Sequence, residues 1–167
     1  MTYHEFHARS LASPEQFWGD QAKLIHWFKF PESILSKDEH KLYRWYQDGM
    51  LNTSYLALDH HVAEGRGDQA ALIYDSPVTN SKKTYTYLEL LQAVELFAGV
   101  LKDKQVQKGD TVIIYMPMIP EAVIAMLACA RLGAIHSVVF GGFAAHELAI
   151  RIYDAKPKVL LTASCGI

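Results

Sequence analysis

The chain has 167 residues, 50% hydrophobic and 20% charged, with a formal net charge of -2. That balance is ordinary for a globular domain with its own core and excludes a disordered or fibrous chain. It also lacks the basic excess with which nucleic-acid-binding surfaces track phosphates.

Pro117, Pro120, Glu121, Arg131 and Gly133 interrupt the longest apolar run, which falls short of the roughly 20 residues of a membrane helix. The first residues lack the basic start and apolar stretch of a secretory signal. Only two cysteines are present, Cys129 and Cys165, so a reducing compartment is expected in place of a disulfide scaffold. The expectation is a cytoplasmic protein with neither nucleic-acid nor membrane partners.

Residues 1–67 are aromatic, rich in histidine and without evident strands. Ser13-Pro14-Glu15-Gln16 predicts a helix start, with Ser13 as N-cap, Pro14 in the first turn and Gln16 closing a capping box. Phe17, Leu24 and Trp27 are placed to share a face. Ser36-Lys37-Asp38-Glu39 breaks the pattern, and Tyr43 to Gly49 predicts a short aromatic segment ending in a turn. A second helix is expected over about 55–64. Three tryptophans in so little regular structure predict a leader whose rings bury against a separate core. Adjacent His60 and His61 diverge by about 100° on a helix and do not converge on a metal.

Residues 68–167 change in texture. Two β-prone runs, Ala70 to Asp75 and Lys82 to Thr86, flank a Pro/Asn/Ser loop and predict a hairpin. Thr86-Tyr87-Leu88-Glu89 is a capping-box sequence opening a helix with Leu90, Val94, Phe97 and Leu101 on its apolar face. Apolar strands then begin near Thr111, Ile135 and Val159, with helices over about 119–131 and 144–155 between them. The first of these helices is apolar nearly all round, which demands burial between layers. In the second, Leu148, Ala149, Ile152 and Ala155 form a stripe, Glu147 and Arg151 pair, and Pro157 ends the helix. The sum is a parallel βαβαβ unit with right-handed crossovers, preceded by a helical leader and a β-hairpin. Three strands leave both sheet edges open, so further chain is expected beyond Ile167.

Ligands in open α/β sheets sit beyond the carboxyl ends of the strands, here Met116-Pro117-Met118, Phe140-Gly141-Gly142-Phe143 and Ala163-Ser164-Cys165-Gly166. The glycine pair admits two readings: a backbone that a ligand approaches beside a helix N-terminus, or a tight turn without a ligand. No nucleotide-phosphate motif of the G-x-x-x-x-G-K-[ST] or G-x-G-x-x-G kind is present. Cys165 stands where a nucleophile would, without a paired base in the sequence. Glu121 suits the positive end of its helix better than general-base work, and His136 is expected to be packed or paired within its strand.

At these residues the chain resembles a known family. TYTYLELLQAVELFAGVLK and VQKGDTVIIYMPMIPEAVIAMLACARLGAIHSVVFGGF are similar to the start of the adenylate-forming domain of short-chain acyl-CoA synthetases, the acetate and propionate CoA ligases. WYQDGMLN, LDHHV and GRGDQAALIYDSPV resemble that family's N-terminal leader and first hairpin, and Leu72 to Thr79 is more like propionyl-CoA than acetyl-CoA synthetases. The resemblance implies a leader over 1–67 and the start of an AMP-binding domain over 68–167.

It also implies small-molecule substrates. ATP with Mg²⁺ and a short-chain carboxylate would give an acyl-adenylate, from which the CoA thiol displaces AMP. By the same resemblance Phe140, Gly141 and Gly142 lie along the CoA site, while the phosphate loop, acyl pocket and catalytic lysine lie beyond Ile167. No catalytic residue and no metal ligand is therefore assigned in this chain, which alone should be inactive. Gln105 departs from the family where a glycine usually follows the helix, and left-handed backbone there would cost on the order of 1 kcal/mol. Leu56 and His60 depart where the leader usually carries Asn and Arg. The alternative is a short non-catalytic CoA-binding or regulatory module that pairs with a full-length ligase. A Rossmann-type dehydrogenase ranks third, for want of the glycine pattern.

Overall fold

The structure, a computed structural model, describes residues 1–164, which fall into two compact units: Met1–Leu51, and the remainder from Asn52.

In the first unit α1 (Tyr3–Ala12) begins with a reciprocal cap. The Glu5 amide donates to Thr2 Oγ1 at 3.3 Å, and the Thr2 amide donates to Glu5 Oε2 at 2.8 Å. Helix α2 (Pro14–Ala22) has Pro14 in its first turn, but the expected capping box at Ser13 does not form. Ser13 also ends α1: its amide donates to the Arg9 carbonyl at 3.1 Å, and the backbone this imposes leaves its hydroxyl bonded to no amide of α2. Because α2 stops at Ala22, Leu24 is 82% exposed and does not join Phe17, which is 2% exposed.

Strands are present here, contrary to expectation. β1 (Leu35–Lys37) pairs antiparallel with β2 (Tyr43–Trp45), and Asp38 shapes the loop between them by accepting the amides of His40 and Leu42 at 2.9 Å each. The aromatic rings pack on one another within the unit: Phe17 meets Phe6 and Trp18 edge-on, and Trp27 lies against Tyr46 while donating its indole N–H to the Ala22 carbonyl at 2.8 Å.

The second unit starts with a helical stretch wound as two π-helical turns, Tyr55–Asp59 and Val62–Arg66, that buries Leu58. The hairpin of β3 (Ala70–Ser76) and β4 (Ser81–Thr86) follows, in antiparallel register from Ser76 opposite Ser81 to Ala70 opposite Thr86. Helix α3 (Tyr87–Asp103) opens with the expected capping box. The Thr86 amide donates to Glu89 Oε2 at 2.9 Å and the Glu89 amide to Thr86 Oγ1 at 3.2 Å. Its inner face buries Leu90, Val94 and Leu101.

Then come β5 (Thr111–Met116), α4 (Pro120–Leu132), β6 (Ile135–Phe140), α5 (Ala145–Ala155) and β7 (Val159–Thr162). The three strands are parallel in the order β6-β5-β7, so the α/β reading and the βαβαβ order hold. Central β5 buries Val112, Ile113 and Ile114 completely. Alternation divides them: Val112 and Ile114 join the cluster with α3 and α4, while Ile113 points to the other face, where α5 packs against β5. Helix α4 is sandwiched as its composition requires, with only Glu121 exposed. Outer strand β6 is more open, and His136 is exposed, not packed or paired as expected. No helix among the described residues is long and apolar enough to cross a membrane.

Two local features hold α3 and α4. Gln105 takes the left-handed conformation at φ 62°, which lets the Val106 amide return to the Leu101 carbonyl at 3.0 Å and buries both apolar side chains. Arg131, near the end of α4, donates to Asp59 at 2.8 and 3.0 Å and to Glu95 of α3 at 2.8 Å. The Asn52 amide group donates to the carbonyls of Ala130 and Arg131 and satisfies the same helix end.

Gln105→Gly should raise stability by up to about 1 kcal/mol, because glycine relieves the left-handed strain and the bonds there are made by backbone; thermal denaturation checks this, and a lowered midpoint would contradict it. Arg131→Gln should cost about 1–3 kcal/mol by leaving the half-buried Asp59 carboxylate without its paired donors, measured by urea titration, with no loss expected only if water replaces both bonds.

Candidate functional site

A cavity of about 440 Å³ opens at the carboxyl ends of β5 and β6, a size within the range of small-molecule sites. Three segments line it: residues 74–79 at the tip of the β3–β4 hairpin, residues 116–119 after β5, and Phe140, Gly141 and Gly142 after β6. Two of the three expected strand ends therefore meet in one place. The third runs toward Cys165, which lies outside the described residues.

The turn after β6 is built from its neighbours. The Phe143 amide donates to the Phe140 carbonyl at 3.0 Å, and the Tyr115 hydroxyl donates to the Phe143 carbonyl at 2.7 Å. The Arg151 guanidinium lies 4.8 Å from the centre of the Phe143 ring and also bonds the Glu147 carboxylate at 3.1 Å. Phe140 stands edge-on to Phe143 with ring centres 5.7 Å apart, yet remains 63% exposed at the cavity wall.

The two glycines do different work. A Cβ on Gly141 would lie 2.8 Å from the Met116 carbonyl oxygen and 3.0 Å from the Pro117 nitrogen, a clash with backbone that has nowhere to go. Gly141 is thus required by the closeness of the chain leaving β5, whether or not a ligand is near. A Cβ on Gly142 would instead meet the tip of the Phe140 ring at 2.7 Å, a group able to rotate away. Gly142 therefore seats the exposed ring. The following helix α5 has Ala144 as N-cap, which offers no side-chain acceptor to the first amides.

Asp75 is the only charged side chain among the described residues that line the cavity, and it pairs with Lys82 at 3.0 Å. Glu121 sits exposed in the first turn of α4 and His136 on β6, neither of them in the lining. The rings of His60 and His61 lie 5.8 Å apart in the π-wound stretch, with His61 against Tyr87. Burial, helped by Arg66 and His60, holds the His61 imidazole below its ordinary value. Buried Cys129 has its thiol pushed up to about 11 by desolvation, so it is inert as a nucleophile near neutral pH.

The hairpin tip is the part of the site that sequence patterns did not locate. Ser76-Pro77-Val78-Thr79 carries a turn signal but no chemistry, and only the folded hairpin brings it opposite Phe140. Gly141→Ala should destabilise the chain by about 1–3 kcal/mol through the backbone clash, whereas Gly142→Ala should melt within about 0.5 kcal/mol of the parent and move only the Phe140 ring resonances; parallel thermal melts and aromatic NMR spectra compare them, and equal losses would refute the division of roles.

Comparison with known proteins agrees with this geometry. A family model described as AMP-binding enzyme matches residues 59–166, and one described as acetyl-coenzyme A synthetase N-terminus matches residues 3–57. The chain is 58% identical over its whole length to an uncharacterised protein of Pseudomonas aeruginosa, covering 27% of it. It is 53% identical to human acyl-CoA synthetase short-chain family member 3, mitochondrial, with 99% of this chain and 24% of that protein covered. Among solved structures, the acetoacetyl-CoA synthetase from Streptomyces lividans superposes with a TM-score of 0.86 at 28% identity, over 97% of this chain and 25% of that one. The chain thus spans about a quarter of the length of the curated relatives it matches. With its matched strands, helices and strand-end cavity in one continuous segment, the chain belongs to the AMP-binding enzyme family.

Proposed function

We propose that this chain forms the N-terminal part of an ATP-dependent short-chain carboxylate CoA ligase, and that Phe140, Gly141 and Gly142 contribute one wall of its CoA site. The observation that carries the reading is the cavity at the ends of β5 and β6, lined by the Phe140 turn in a segment that matches the family. In such a reaction ATP activates the carboxylate as an acyl-adenylate and the CoA thiol takes the acyl group with release of AMP. The part taken by these residues is binding: Phe140 offers an exposed ring face, the turn is locked by Tyr115, and Gly141 keeps the two strand ends together.

The cavity fits an organic ligand better than a metal ion. Among the described residues no group of three His, Cys, Asp or Glu side chains is placed to hold an ion. The likeness of Leu72 to Thr79 to propionyl-CoA synthetases favours propionate over acetate as the acyl substrate. A reducing compartment, with the cytoplasm as the favoured one, suits the free thiol of Cys129.

The test is a chimera in which this chain replaces the matching N-terminal quarter of the human relative. Given ATP, Mg²⁺, CoA and propionate or acetate, it should form acyl-CoA and AMP, whereas the 167-residue chain alone should form neither. A folded chimera that makes no thioester, beside an active parent, would overturn the proposal.

A further inference from the structure

A second concavity lies at the other end of the sheet from the Phe140 turn. It has a volume of about 710 Å³ and opens beside the amino ends of β5 and β7, between the loop after α3 and the end of α4. Its lining includes three lysines, Lys102, Lys108 and Lys158, and two glutamines, Gln105 and Gln107, with no acidic residue among the described ones.

Lysines near helix ends ordinarily serve the last carbonyls, but here those carbonyls have other partners. At the end of α3 the amides of Lys104, Val106 and Gln105 donate to the carbonyls of Val100, Leu101 and Lys102 at 3.1, 3.0 and 2.8 Å. At the end of α4 the Ala134 amide takes the Cys129 carbonyl at 2.9 Å, and Asn52 takes those of Ala130 and Arg131. Lys158 is engaged: it donates to the Gln105 carbonyl and, at 3.0 Å, to Asp110 Oδ2, which also accepts the Gln107 amide at 2.7 Å. Among the described residues no carboxylate pairs with Lys102 or Lys108. The Lys108 stem is nonetheless held, because it crosses Gly133 so closely that a Cβ there would lie 3.0 Å from Lys108 Cγ. Three ammonium charges against the single carboxylate of Asp110 leave an excess of two positive charges around the concavity.

Gln105 supplies an independent sign. Its backbone is left-handed at φ 62°, and the bonds that close α3 are made by main chain, so glycine would serve the fold better. Strain kept where an unstrained residue is available points to another use for the side chain. This side chain borders the lysines, and its amide group can donate to an oxyanion.

We propose that this concavity binds a small oxyanion of two or more negative charges, a diphosphate group being the class that fits, through Lys102 and Lys108 with Gln105 and Gln107 as neutral donors. Lys158 positions the loop that carries the glutamines. A compact anion is favoured over an extended polyanion, because the positive excess is confined to one concavity on a chain whose net charge is -2. The site is separate from the Phe140 turn and does not rest on the ligase reading.

The probe is inorganic pyrophosphate, titrated into the 167-residue chain at constant ionic strength and followed by amide NMR and calorimetry. It should move the resonances of residues 102–108 and 158 and leave those of residues 140–143 in place, while chloride at the same ionic strength moves neither set. Lys102→Gln and Lys108→Gln should each weaken binding about fivefold with unchanged thermal melts. Gln105→Gly should weaken binding about threefold while raising the melting midpoint, a combination that a purely structural role for Gln105 would not give. In a second titration ADP replaces pyrophosphate: tighter binding at the same amides assigns the diphosphate to a nucleotide, and equal or weaker binding assigns it to the free anion. Pyrophosphate that leaves residues 102–108 unmoved, or a chain with both lysines changed to glutamine that binds like the parent, would overturn the inference. Neither result bears on thioester formation by the chimera.

Discussion

The dryness of β5 is the constraint on which the second unit depends. Val112, Ile113 and Ile114 have no exposure at all, and successive residues of a strand point to opposite faces, so both faces need a covering layer. Helices α3 and α4 supply one and α5 the other. Helix α4 is itself too apolar to face water, which fixes α3 outside it. Burying each of these β5 side chains is worth about 1.5–3 kcal/mol, more than the strain on the order of 1 kcal/mol of left-handed Gln105. That order of magnitudes explains why a residue with a Cβ is tolerated at the end of α3: the Leu101 and Val106 contact it secures is part of the same buried core, whose stabilisation outweighs the strain.

The same burial accounts for what is legible in the sequence. Apolar runs at Thr111, Ile135 and Val159 are strands from those residues, and the Thr86–Glu89 signature is a reciprocal cap, because a buried layer and a four-residue motif both act locally. The first unit is harder to read. Helix α1 buries none of its residues, so it shows no apolar period, and its start is marked only by Thr2 and Glu5. Strands β1 and β2 have three residues each, too few for alternation, and depend on Asp38 to shape their loop. Ser13 carries a valid helix-start signal, but a helix also ends there and its backbone serves that end. His136 departs from expectation because alternation fixes the face of a residue and not how far the cover extends over an outer strand.

The glycine pair illustrates what spacing alone leaves open. Gly141-Gly142 is compatible in sequence with a ligand at the backbone and with a bare tight turn, and the geometry assigns one requirement to each residue. Gly141 answers to a contact made entirely within the protein, the approach of Met116 and Pro117, so its presence carries no information about a ligand. Gly142 makes room for the Phe140 ring, and an aromatic ring held at the mouth of a cavity with most of its surface in water adds little to the stability of the fold. Both glycines therefore answer to contacts within the protein, and Phe140 is the residue of the motif left exposed at the cavity wall.

Family membership and site chemistry constrain different things. The match over residues 59–166 concerns a fold, and folds host many reactions, so the ligand argument has to come from the surface the fold presents. That surface combines an exposed ring, methionine side chains and a braced hairpin tip around one carboxylate that already has its lysine. Such a lining acts through shape and exclusion of water, effects nearly independent of ionic strength, whereas attraction between exposed charges fades beyond about 10 Å at 0.1 M salt. The lining therefore presents a largely salt-insensitive surface, with its one carboxylate already paired with Lys82.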